Sequence, residues 1–341
     1  MRPVDLFAVQ ARVSPSLYAD AARFEAAVES QAEAIAKRRE RTPSGAFARP
    51  ALAVWPENFG VFACLAGRAW AGRAKTVGGA MFRVALGELG PLVKTAVRHR
   101  ARSLEEALLT TLAPEVFALV HRTFSRVAKA YGLWIVAGTA YLPRSTRPAR
   151  EGFEPLDARV FNVALTYAPT GELVAETRKQ NLVPTQEDVL HLSPGKPEDL
   201  PVVDTEFGKL ATLICYDGFD EPHTRDEPGF RACGVLVDER GAEIVAQPSA
   251  NAWPWNEPWV FNEPGESLLR REQWFDEGMF AQLRRCRHVR YVVNPQLVGE
   301  MFEHRFEAPS LILSRSPEGE VRVEARAVSI DREEIVTLTA E

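Results

Sequence analysis

A cysteine, a glutamate and a lysine occupy comparable places in this sequence, each just beyond a short apolar or β-prone run. Cys215 follows Lys209-Leu210-Ala211-Thr212-Leu213-Ile214 and precedes the turn-forming Tyr216-Asp217-Gly218. Glu57 follows Ala51-Leu52-Ala53-Val54-Trp55-Pro56, and Lys179 follows Glu176-Thr177-Arg178. A buried strand that ends in a turn delivers its next side chain to a cleft. A cysteine so placed attacks only as thiolate and requires a base or positive charge beside it. A carboxylate can take the thiol proton, and a lysine next to both can hold a developing oxyanion. Histidine is the commoner partner of a nucleophilic cysteine. None of the six histidines, His99, His121, His191, His223, His288 and His304, falls at such a strand end, although sequence separation does not decide proximity in space. Taken singly, the three residues have plainer readings as a small buried side chain, a helix cap and a solvated charge. Their joint placement favours chemistry.

The elements that must position them alternate along the chain. Val4 to Val9 reads as a strand, Ala21 to Arg38 as an amphipathic helix after Asp20, and Ala51 to Trp55 as a second strand, which makes a parallel βαβ unit. We expect a helix over Pro114 to Ala130 with Pro114 in its first turn. Strands are expected at Leu133 to Thr139, Arg159 to Tyr167 and Leu173 to Thr177, the last two antiparallel. A hairpin over Val202 to Thr205 and Lys209 to Ile214 places Cys215 at its exit. A helix near Phe230 to Arg240, a strand at Glu243 to Gln247, a helix over Glu266 to Arg287 and a strand at Tyr291 to Asn294 follow. Ser310 to Ser314 with Glu320 to Ala327 closes the pattern as a hairpin. The aromatic, proline-rich stretch from Pro248 to Trp259 reads as a cleft wall, with Asn251 and Trp253 as candidate substrate contacts. Trp253, Trp255 and Trp259 suit a substrate wall or an oligomer contact equally.

The 341 residues, 46% of them apolar, suffice for one large α/β domain with a substantial core. A formal charge of -5 implies no polyanion partner, so nucleic acid is not expected. The stretch 64–104 departs from this balance: Arg68, Arg73, Lys75, Arg83, Lys94, Arg98, Arg100 and Arg102 face a single acid, Glu88. Such a segment, predicted to form short helices and loops, suits a solvated flap better than a membrane-surface contact. The four cysteines, Cys64, Cys215, Cys233 and Cys286, form no Cys-x-x-Cys pair, which argues against a zinc ribbon or a disulfide framework. The first residues lack an apolar run of signal-peptide length, and no run approaches the roughly 20 residues of a bilayer span. A soluble, cytoplasmic protein is expected.

Trp-Pro-Glu at 55–57, Arg-Lys-Gln-Asn-Leu at 178–182 and Ile-Cys-Tyr-Asp at 214–217 resemble the three signature segments of the nitrilase superfamily of carbon-nitrogen hydrolases. Their order and strand-end placement also fit, and the resemblance extends from about Val4 to about Ala327. It implies a four-layer α-β-β-α sandwich over 1–341, a homodimer or larger homo-oligomer, and hydrolysis of a nonpeptide carbon-nitrogen bond without metal or organic cofactor. By the same resemblance Cys215 is the nucleophile, Glu57 the general base and Lys179 the oxyanion stabiliser. The backbone N–H of Tyr216 becomes a second oxyanion donor, and Glu187, eight residues beyond the lysine, positions lysine and substrate amine.

Tyr-Asp after the cysteine matches many amidase members, where strict nitrilases carry Trp-Glu. This favours a small amide as substrate over a nitrile. A nitrilase, an N-carbamoyl amine hydrolase and acyl transfer to an amine stay open, as does a nitrilase-fold scaffold that works by binding. The long stretch from Cys64 to Ala113, read as a basic insertion or flap, and the loop from Gly218 to Glu227 should border the site.

Overall fold

The computed structural model describes every residue except Asp188. The chain opens with strand β1 (Val4–Gln10) and the short β2 (Arg12–Val13). Helix α1 (Ala21–Arg38) starts at Asp20, whose side chain accepts the N–H of Arg23 at 2.9 Å, and it ends with Lys37 and Arg38 in the last turn. Both features satisfy the helix termini electrostatically. Strand β3 (Ala51–Trp55) returns parallel to β1. The basic stretch then forms two 3-10 turns and the helices α2 (Val77–Gly87) and α3 (Leu89–His99). These helices bury Ala80, Val84 and Leu92 while leaving Phe82 and Leu86 of α2 and Leu89, Val93 and Val97 of α3 exposed, each set at a spacing of four residues.

Helix α4 runs from Leu104 to Tyr131, so Pro114 lies inside it and not in its first turn. The start is set upstream by Ser103, whose hydroxyl accepts the N–H of Glu106 at 3.1 Å. Glu106 in turn accepts the N–H of Arg102 at 2.8 Å. Burial of Leu108, Leu112 and Ala113 outweighs the one helical hydrogen bond that Pro114 cannot make. Strand β4 (Trp134–Ser145) pairs parallel with β3, and β5 (Pro155–Tyr167) and β6 (Leu173–Arg178) follow, each antiparallel to the one before.

The second half supplies β7 (Val202–Thr205), β8 (Gly208–Thr212), helix α5 (Cys233–Glu239) and β9 (Ile244–Ala246). Where one helix was expected over Glu266 to Arg287, two short ones form, α6 (Arg270–Asp276) and α7 (Met279–Leu283). The break falls at Gly278, where the backbone comes so close to the Trp274 carbonyl that an added Cβ would lie 2.2 Å from its oxygen. Strands β10 (Tyr291–Asn294), β11 (Val298–Met301), β12 (His304–Phe306), β13 (Leu311–Arg315) and β14 (Val321–Arg326) lead to β15 (Glu334–Ala340). That last strand, unanticipated from the sequence, pairs antiparallel with β1 along its whole length.

Two six-stranded sheets result, ordered β15-β1-β3-β4-β5-β6 and β14-β13-β10-β9-β8-β7, with β2, β11 and β12 in a small third sheet. Strand alternation assigns the layers. Phe7, Ala53, Trp55 and Ile135 face Phe24 of α1 and Phe124 of α4, while Leu6, Leu52 and Val136 face Ile244 and Ile312 of the second sheet. Val237 of α5 and Leu283 of α7 cover the far side of that sheet against Val245 and Val292. The architecture is therefore a four-layer α-β-β-α sandwich. Among the described residues no helix is long and apolar enough to cross a membrane.

One glycine fixes where β3 meets β4. Gly138 adopts φ +69°, and an added Cβ would lie 2.2 Å from the carbonyl oxygen of Pro56. Gly138→Ala should therefore cost about 2 kcal/mol or more of stability and displace Glu57. Chemical denaturation checks this, and a midpoint equal to wild type would refute it.

Candidate active site

Three strand ends converge between the sheets. Beyond β3 the chain turns at Pro56, Glu57 and Asn58. Asn58 adopts φ +63°, a conformation asparagine tolerates, and its N–H donates to Thr139 Oγ1 at 2.9 Å. Lys179 extends β6 by one more bond, its N–H donating to the Asn162 carbonyl at 2.9 Å. Strand β8 stops at Thr212, two residues short of the expected Ile214, and Cys215 opens a 3-10 turn beyond it. Its backbone is held at φ +46° by its N–H donating to Pro248 O and its carbonyl accepting from Gln247 Nε2, both at 2.9 Å. Gly218 admits that glutamine: a Cβ there would lie 2.1 Å from Gln247 Nε2.

The two sheets are also clasped by Asp217. Its fully buried carboxylate accepts the N–H groups of Gln180 at 3.0 Å and Asn181 at 2.7 Å, just past Lys179, and that of Ile214 at 3.3 Å. The lysine and the cysteine are thereby tied to one side chain. Burial pushes the Asp217 carboxyl up to about 7 even against these donors.

At the centre, Lys179 Nζ donates to Glu57 Oε1 at 2.8 Å and to Glu187 Oε2 at 2.6 Å. Asn162, on β5, spans the same two carboxylates, its Nδ2 donating to Glu57 Oε1 at 2.9 Å and Glu187 Oε1 at 2.8 Å. Val183 N–H completes Glu187 at 2.9 Å. All four side chains are buried. The structure thus places Glu57, Lys179 and Glu187 in one cluster, with Cys215 against Glu57. Asn162 went unread in the sequence, although an asparagine inside Val160-Phe161-Asn162-Val163-Ala164 is a buried polar group that demands partners.

Burial opposes the Lys179 ammonium, but Glu187 and Glu57 overcome it and hold the lysine well above its usual pKa. Glu57 is raised by burial, with Lys179 and the Cys215 thiol restraining the rise. Burial, reinforced by the Glu57 charge, pushes the Cys215 thiol up to about 12. At neutral pH Cys215 is therefore a thiol and not a thiolate.

These groups face a cavity of about 400 Å³ lined also by Tyr141, His223, Ala250, Trp253 and Arg270. His223, which no strand-end pattern singled out, is stacked on Tyr216 at 3.8 Å and kept neutral by burial and the charges of Arg270 and Lys179. Trp253 is a wall residue. Asn251 is fully buried and absent from the cavity lining, because its side chain is committed to Trp253 O, Glu307 O and Arg270 Nε. Trp255 and Trp259 are buried in packing. The Tyr216 N–H belongs to the first turn of a short helix, where amides lack intrahelical partners. Among the described residues no three His, Cys, Asp or Glu side chains converge to hold a metal ion.

The sequence model described as Carbon-nitrogen hydrolase matches residues 9–222. The chain belongs to the carbon-nitrogen hydrolase family. This hydrolase is similar in fold to solved relatives. A variant of the amidase from Nesterenkonia sp. AN1, bearing acrylamide added at its active-site cysteine, superposes with a TM-score of 0.55, covering 100% of this chain and 94% of that one at 14% identity. The carbon-nitrogen hydrolase from Helicobacter pylori G27 gives 0.59, with 99% and 88% covered at 14% identity. No curated protein sequence matches.

Lys179→Met would leave two buried carboxylates without their cation. We expect a loss of about 3–5 kcal/mol near neutral pH. Glu57, already raised, would climb further, so the folded variant would take up a proton that the unfolded chain releases. Its deficit against wild type should shrink as pH falls from 8 to 5. Denaturant titrations across that range test this, and a deficit independent of pH would contradict it.

Proposed function

We propose that this carbon-nitrogen hydrolase is an amidase that works through a cysteine acyl-enzyme. The reading is carried by one observation: a charged lysine shared by two carboxylates, one of them against the buried Cys215 thiol, in a cavity large enough for a small substrate. Glu57 takes the thiol proton as Cys215 Sγ attacks the amide carbon. Lys179 Nζ and the Tyr216 N–H hold the resulting oxyanion. Glu57 then returns the proton to the leaving nitrogen, the carbon-nitrogen bond breaks, and a thioester with ammonia or an amine results. A water deprotonated by Glu57 attacks the thioester, the carbon-sulfur bond breaks, and the proton restores the Cys215 thiol. Glu187 and Asn162 act as positioning residues that fix Lys179 and Glu57.

Tyr216-Asp217 after the nucleophile supports an amide over a nitrile, as does the fold shared with an amidase whose cysteine carries acrylamide in a Glu-to-Gln variant. A panel of small aliphatic amides, nitriles and carbamoyl amines, assayed for ammonia release, should show turnover of amides that folded Cys215→Ala lacks. Release from nitriles alone would overturn the assignment.

The charge argument separates the base from the nucleophile. Glu57→Gln removes the base and should lower amide turnover at least ~100-fold. It also removes the negative charge that raises the thiol pKa and leaves the lowering influence of Lys179. Alkylation of Cys215 by iodoacetamide at pH 8 should therefore become faster in this variant. Slower alkylation would contradict the charge argument, because loss of the Glu57 base would then outweigh the gain in thiolate.

A further inference from the structure

Arg270 is the cavity cation that the hydrolytic chemistry leaves unused. The guanidinium is 2% exposed, yet its hydrogen bonds go to neutral acceptors, Asn251 Oδ1 from Nε at 2.8 Å and Gln273 Oε1 from Nη1. Among the described residues it makes no ion pair. Glu277, the acid just past α6 whose charge reaches Arg270, instead accepts from Gln273 Nε2. Aromatic faces enclose the group, with Trp259 at 4.1 Å and Trp253 and Trp274 both at 5.0 Å from its central carbon. Burial lowers its pKa to about 9, which still leaves it charged at neutral pH.

Cation-π contacts and neutral acceptors orient a guanidinium but do not cancel its charge, and a buried charge without a counter-ion is costly. Lys179, the other cation of the cavity, is already matched by Glu57 and Glu187. Two of the five Arg270 N–H donors have acceptors, and the side chain lines the cavity. The cavity therefore has a cationic end without an anion. Val61, Phe62, Met81 and Leu190 line it as well and continue into an apolar annex of about 80 Å³ that includes neither Arg270 nor Cys215.

We propose that Arg270 binds a carboxylate of the substrate, so that the enzyme acts on amides carrying a negative charge as well as an apolar part. The inference rests on the amidase reading and names its substrate class. The carboxylate would complete the guanidinium with charge-assisted hydrogen bonds inside an aromatic enclosure that excludes water. The apolar annex would receive the uncharged portion.

Two substrate arms locate the carboxylate. One compares ω-amido carboxylates having two to five methylenes with the neutral diamides of the same length. The other compares N-acylglycines with the corresponding N-acyl ethylamines, for which amine release is measured. Wild type should favour the charged member of at least one arm by about 10- to 100-fold in kcat/KM, chiefly through KM. Arg270→Met should bring that ratio near one, and Arg270→Lys should restore part of it. Binding is read separately in the Cys215→Ala protein, where the preferred carboxylate should raise Tm and where adding Arg270→Met should abolish the rise. If no amide is turned over but this Arg270-dependent binding persists, the amidase reading fails and the anion site stands. No charge preference in either arm overturns the site. So does an Arg270→Met variant that loses charged and neutral substrates equally while its Cys215 alkylation slows, because the guanidinium would then be serving the thiol.

Discussion

A lysine ammonium cannot be buried alone, and here Lys179 is buried between two carboxylates. That requirement governs the centre of the molecule. Each carboxylate needs the cation, the cation needs both, and Asn162 holds the pair at a fixed separation by donating to each. The cluster sets two carboxylates around one ammonium, and Glu57 lies against the thiol. The same interaction that makes the charged groups tolerable in the interior places a carboxylate and an ammonium beside the thiol.

The cluster draws on both sheets. Glu57, Asn162 and Lys179 come from the first sheet or its strand ends, whereas Cys215 follows a strand of the second. The packing of Leu6, Leu52 and Val136 against Ile244 and Ile312 therefore sets the distance between Cys215 and the charged cluster as well as stability. Asp217 reinforces that packing with hydrogen bonds to the backbone on either side of the seam. A shift of one sheet on the other would separate Cys215 from Glu57 before it unfolded anything.

Sequence patterns revealed the strand ends because strand periodicity and turns are local. The segments around Glu57, Lys179 and Cys215 are each short enough to be read alone. The start of α4 was also written locally, in Ser103 and Glu106, but the proline at 114 carried more weight than the cap. Asn162, His223 and Arg270 were less legible because their significance lies in long-range partners. Asn162 bridges Glu57 across 105 positions, and Arg270 takes its meaning from tryptophans contributed by another loop. The break at Gly278 and the pairing of β15 with β1 likewise depend on contacts that no window of neighbouring residues contains.

The left-handed backbone at Cys215 sets local stability against the side chain carried there. A side chain at φ +46° costs on the order of 1 kcal/mol relative to glycine, which adopts that conformation freely. At this position the fold and the chemistry favour different amino acids. Replacing the cysteine by glycine would release that strain and take the sulfur out of the cavity with it.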